Sequence, residues 1–120
     1  MKRGIDRAQR VGDLVCQKLA GMLLEDMTDE RFRLVTVVSA AVSRDLSYAK
    51  IYVTVLLDDK KQIRDVIQAL NRAAKGLRYQ LARAVDLRIV PELKFVYDET
   101  TARGFQISVL IDEAMKKSGK

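Results

Sequence analysis

The sequence predicts an α+β domain in which a layer of helices covers one face of a small sheet. Three observations carry that prediction. Residues 5–27 and 60–85 bear apolar stripes at helical spacing. Residues 34–42 and 48–57 are two short β-branched runs joined by the polar link Ser43-Arg44-Asp45-Leu46-Ser47. A third short run, Leu93–Tyr97, follows Pro91, the only proline of the chain.

The first helix is expected over 5–27. Val11, Leu14, Val15, Leu19, Met22 and Leu23 recur at i, i+3, i+4, i+7 and form one apolar face. Arg3, Arg7 and Arg10 fall on another. The acidic run Glu25-Asp26-Met27-Thr28-Asp29-Glu30 ends the helix and starts a loop. In 48–57, Ala49, Ile51, Val53, Val55 and Leu57 point one way, and Tyr48, Lys50, Tyr52 and Thr54 the other. One sheet face should therefore pack on helices while the other stays partly wet. The five-residue link suits an antiparallel hairpin, although it lacks glycine.

Asp58-Asp59 supplies an acidic N-cap region for the next helix. Its apolar stripe is Ile63, Val66, Ile67, Leu70 and Ala74, opposite Arg64, Gln68, Arg72 and Lys75. Gly76 interrupts the pattern, and Leu77, Leu81 and Val85 resume it. A glycine inside a helix costs about 1 kcal/mol against alanine, so a kink or a two-helix break is expected here. Thr100, Thr101 and the two acidic residues before them offer caps for a last helix anchored by Val109, Leu110, Ile111 and Ala114. The tail 116–120 reads as frayed. With no linker or repeat, residues 1–120 form a single domain.

The available chemistry is narrow. The chain has no histidine and one cysteine, which excludes a Cys/His zinc site within one chain and any Ser-His or Cys-His dyad. Cys16 reads as a packed thiol, and the single cysteine excludes an intrachain disulfide, in keeping with a reducing cytosol. The carboxylates at 25–30 and 58–59 sit at a helix end and a helix start, so capping explains them better than catalysis. No phosphate-binding glycine loop occurs, and no apolar run is long enough to span a membrane. No enzyme, cofactor or metal is expected. The net charge of +6 is unevenly spread: residues 1–23 and 60–94 are basic, 24–59 acidic, and 95–120 balanced. That segregation suggests a patch facing a polyanion.

The segment around Gly76 is the candidate binding element. A helix restarting after a glycine would present free backbone N–H groups and a positive dipole end. Arg72, Lys75, Arg78 and Arg83 surround it. Tyr79, on the same face as Arg83, could stack on a base. The competing reading is a packing bend with solvated arginines.

VSRDLSYAKIYV, LNRAAKGLRYQLA and LRIVPELKFVYDET, in this order, resemble the ribosome-binding factor A family, and the resemblance runs from RAQRVGDLVCQKLAGML through GFQISVLIDEA. It implies a type II KH-like fold, α-β-β-α-kink-α-β plus a C-terminal helix, on a three-stranded sheet covered by helices. It also implies an Ala-x-Gly kink in place of the GxxG loop of other KH domains. Here the sequence departs from the pattern. The alanine falls on Ala73, the glycine position on Lys75, and Gly76 comes one residue late. Either the kink has moved by one residue, or Ala74-Lys75-Gly76 forms it in another register. The resemblance further implies a non-enzymatic factor that binds free, immature small (30S) ribosomal subunits. Such a factor would assist folding and trimming of the 5′ region of 16S rRNA and matter for growth at low temperature.

The expected protein is thus cytoplasmic and monomeric, with no membrane contact. Its RNA- or ribosome-binding surface would comprise Arg3, Arg7, Arg10, Arg72, Lys75, Arg78, Tyr79, Arg83 and Arg88, with a helix kink at Ala73, Ala74, Lys75 and Gly76. Two alternatives follow from the residues. A small DNA-binding regulator would need a recognition helix and usually a dimer. An α+β dimerisation or ligand-sensing module would use the exposed sheet face.

Overall fold

The computed structural model of the chain describes residues 2–26 and 29–100, and the side chains from residue 6 onward within them. The element order is α1 (Lys2–Glu25), a 3-10 turn (Glu30–Leu34), β1 (Val35–Val42), β2 (Tyr48–Val55), α2 (Lys60–Ala84) and β3 (Glu92–Tyr97). The expected last helix and frayed tail lie outside the described residues.

The sheet order is β1-β2-β3. β1 and β2 pair antiparallel, with a bulge between Val37 and Ser39. β2 and β3 pair parallel, with Ile51 opposite Phe95, because α2 carries the chain back across the sheet. Alternation then sorts the faces as the sequence predicts. Ala49, Ile51, Val53 and Val55 of β2 are buried together with Leu93 and Phe95 of β3. Val11, Val15, Leu19 and Leu23 of α1, and Ile63, Val66, Leu70, Leu77 and Leu81 of α2, complete this one core. On the opposite face Tyr48 is exposed, and Lys50, Tyr52 and Thr54 are half-buried.

The hairpin without glycine is built by side-chain hydrogen bonds. Asp45 Oδ1 accepts from the Ser43 and Ser47 hydroxyls, at 2.7 Å each, and from the Ser47 backbone N–H at 3.1 Å. The Ser47 and Ser43 hydroxyls lead in holding the Asp45 carboxyl down to about 2. This cage forces Leu46 to a φ of 64°, the left-handed region that a leucine rarely enters. Its side chain is buried in return.

Of the kink or two-helix break expected at Ala73–Gly76, the break is not there. α2 is one α-helix from Lys60 to Ala84, started by the Asp59 side chain, which accepts from the Lys61 N–H at 2.8 Å. The reason is phase. At 100° per residue, Leu70, Leu77 and Leu81 share one stripe with Ile63 and Val66, and all five are buried. A break would take half of them off the sheet, which outweighs the roughly 1 kcal/mol cost of one glycine.

Gly76 has no positive φ, and a Cβ there would meet nothing within 4 Å. Gly76→Ala should therefore stabilise the protein by about 1 kcal/mol in urea unfolding. A destabilised variant would contradict the unbroken helix. Gly12→Ala should go the other way. A Cβ at Gly12 would stand 3.2 Å from the Ala40 carbonyl oxygen, where α1 crosses β1, and a strand carbonyl cannot swing aside as a side-chain end can.

Candidate nucleic-acid interface

The structure divides the predicted basic residues into two groups. The first lies on the outer side of α2. Arg72, Lys75, Tyr79 and Arg83 recur at spacings of three and four and are all exposed, on the side away from the buried leucines. Tyr79 is 65% exposed, enough for a base to reach its ring. The Arg83 guanidinium lies 6.0 Å from that ring's centroid, at the outer limit of a cation–π contact. Arg64 extends this face toward the start of the helix.

The second group lines a concavity of about 230 Å³ formed by Arg7, Arg10 and Val11 of α1, Leu46 of the hairpin, and Leu87, Arg88 and Ile89 after α2. Three cations ring an aliphatic floor. All three arginines are exposed, and no described carboxylate is in ion-pair contact with them. The site joins residues some 80 positions apart in the chain, because α1 packs on the sheet beside the segment that leaves α2.

Arg78 stands between the groups and has a different occupation. Its Nε and Nη2 both donate to the Val90 carbonyl oxygen, at 3.2 and 2.9 Å. This fork ties α2 to the segment carrying Leu87–Ile89, so Arg78 positions the concavity's wall. The side chain of Arg3 lies outside the described residues. With Ala73–Gly76 inside an unbroken helix, the backbone N–H groups that a break would have freed are not offered.

The other chemistry-bearing residues are structural. Asp29 caps the 3-10 turn by accepting from the Arg31 N–H at 3.0 Å, and its carboxylate pairs with the Arg31 guanidinium at 2.7 Å. The hydrogen bond from the Arg31 side chain is the main reason the Asp29 carboxyl is held below its ordinary range. Burial, assisted by Asp13, pushes the Cys16 thiol up, which keeps it protonated and poorly nucleophilic. Sequence reasoning missed Asn71. Its side-chain amide donates to the Phe95 carbonyl oxygen at 3.1 Å and accepts from the Phe95 N–H at 2.8 Å. Among the described residues, no helix is long and apolar enough to cross a membrane.

The fold and sequence have known counterparts. The family model for ribosome-binding factor A matches residues 7–111. The ribosome-binding factor A of Pseudomonas syringae pv. syringae is 42% identical over 121 residues, covering 100% of this chain and 88% of its own. The crystal structure of ribosome-binding factor A from Thermus thermophilus superposes with a TM-score of 0.63 at 28% identity, over 75% of this chain and 94% of that one. A Thermus thermophilus model fitted into the cryo-EM map of a 30S–ribosome-binding factor A complex matches with a TM-score of 0.52 at 30% identity, over 69% of this chain and 90% of that one. The KH-like α+β arrangement expected from the sequence is shared with these neighbours. With a family match over most of its length and full-length relatives above 40% identity, the chain belongs to the ribosome-binding factor A family.

Proposed function

We propose that this protein binds immature small ribosomal subunits in the cytoplasm and assists, without catalysis, the late maturation of 16S rRNA. The observation that carries the reading is the pair of cationic surfaces on a chain of this family, one of whose structural neighbours was fitted into a 30S complex. Phosphate contacts from Arg72, Lys75 and Arg83, and from Arg7, Arg10 and Arg88, supply affinity. The shape of the rRNA supplies selectivity. A factor that binds one rRNA conformer better than another shifts the population toward it by its differential affinity alone. Folding and trimming of the 5′ region of 16S rRNA, and growth at low temperature, are the processes such a shift would serve. The protein acts as a monomer in this reading.

Sedimentation of tagged protein through a sucrose gradient of cell lysate tests the proposal. The protein should peak with free small subunits and dissociate as salt is raised. Equal signal on polysomes would overturn the maturation role.

A further inference from the structure

We propose that the concavity ringed by Arg7, Arg10 and Arg88 holds one unstacked nucleotide of single-stranded RNA, its phosphates on the guanidinium rim and its base face on the aliphatic floor. The inference deepens the reading of this protein as an rRNA-binding factor and rests on it.

The chemistry of the lining selects the occupant. Three cations with no carboxylate partner among the described residues fit an anion. Val11, Leu46, Leu87 and Ile89 fit a flat apolar surface beside that anion. A nucleotide presents both at close range, whereas a duplex buries its bases and offers phosphates alone. The size agrees, since about 230 Å³ admits a single base and little more.

The floor is also built to stay in place. Leu46 is fixed by the Ser43–Asp45–Ser47 cage at a φ of 64°. The wall carrying Ile89 is tied to α2 by the Arg78 fork on Val90. Ile89 remains 46% exposed in spite of this, leaving apolar area for a ligand to cover. Among the described lining residues the only side chains that can form a hydrogen bond are the arginines, so the floor itself offers a base contact area and no edge readout. Three of its lining residues, Leu87, Arg88 and Ile89, lie on the segment that leaves α2.

The test uses the full chain and two fluorescently labelled octamers of equal charge: single-stranded oligoadenylate and its fully abasic counterpart. Anisotropy titrations should rank the intact single strand above the abasic one by on the order of fivefold, the value of covering a few tens of Å² of apolar surface. Ile89→Ser should erase that difference while leaving the melting temperature near wild type, because the side chain is largely exposed. The Arg7→Gln/Arg10→Gln/Arg88→Gln variant should weaken both single strands and flatten the salt dependence by about 0.7 log unit per lost contact.

Equal affinity for intact and abasic strands in the wild type would overturn the proposal. So would loss of the difference in Tyr79→Ala but not in Ile89→Ser, which would place the base on α2. Tighter binding of an alternating Asp-Leu octapeptide, sensitive to Ile89→Ser, would assign the site to protein and also overturn it. Subunit cosedimentation of the same variants separates the two levels. Wild-type protein on small subunits with no base-dependent binding would remove only the nucleotide site. Base-dependent binding without cosedimentation would remove only the ribosomal role.

Discussion

Phe32→Ala is expected to cost about 3–4 kcal/mol of unfolding free energy, the usual range for truncating a buried phenylalanine. Phe32 is buried in the 3-10 turn, where the turn meets α1, α2 and β1. It therefore closes the end of the core at which the first helix hands the chain to the sheet. Alanine leaves a void bounded by helices that cannot move inward without unseating Leu23 and Ile63 from the same core. Phe32→Leu should cost much less, about 1 kcal/mol, because most of the volume is retained. Urea unfolding with an unchanged m-value would measure both, and equal costs for the two substitutions would contradict a packing role. A domain of this size holds about 5–15 kcal/mol, so both variants should remain folded at 25 °C.

The parts of this fold that could be read from the sequence are those with a period. The two-residue alternation of β2 sorts Ala49, Ile51, Val53 and Val55 from Tyr48, Lys50, Tyr52 and Thr54 without reference to any other segment. The stripes of α1 and α2 likewise name their own buried residues. Phe32 could not be read in this way, because five residues of 3-10 helix are too few to show a period. The leucine at positive φ was hidden for a related reason. Its conformation is imposed by Asp45 and two serines, whereas turn chemistry is ordinarily signalled by glycine or asparagine. At Gly76 the local signal was real but small. One weak helix former was outweighed by five leucine, isoleucine and valine side chains already in phase.

The basic surface was legible in composition and not in geometry. The sequence could place Arg72, Lys75 and Arg83 together on a helix, because 3.6 residues per turn dictates it. Nothing local joins Arg7 and Arg10 to Arg88. That meeting depends on how α1 lies over the sheet, and so on Gly12 allowing α1 to approach Ala40 closely. Arg78 shows the reverse case. It sits among exposed cations in sequence, yet its guanidinium is committed to a backbone carbonyl.

Asn71→Ala is expected to destabilise the protein by about 2 kcal/mol, although a survey by side-chain exposure would pass over the residue. β3 is an edge of the sheet, and the side of Phe95 turned away from β2 presents a backbone N–H and a carbonyl with no strand to receive them. The Asn71 amide fills that place, donating with Nδ2 and accepting with Oδ1 as a neighbouring strand would. Removing it leaves two partly buried groups unpaired, each worth about 1 kcal/mol or more. Asn71→Asp separates the two bonds. A carboxylate still accepts from the Phe95 N–H but faces the Phe95 carbonyl with a second lone pair, so stability at neutral pH should fall as far as in Asn71→Ala or further. Protonation restores a donor. The introduced carboxyl would thus have a higher affinity for protons in the folded state, and its deficit relative to wild type should shrink as pH falls below the carboxylate range, near about 4. Unfolding measured at neutral pH and again at the foot of that range provides the comparison. If the two variants lose the same amount under both conditions, Asn71 acts by packing alone and the edge of β3 is protected by something other than this amide.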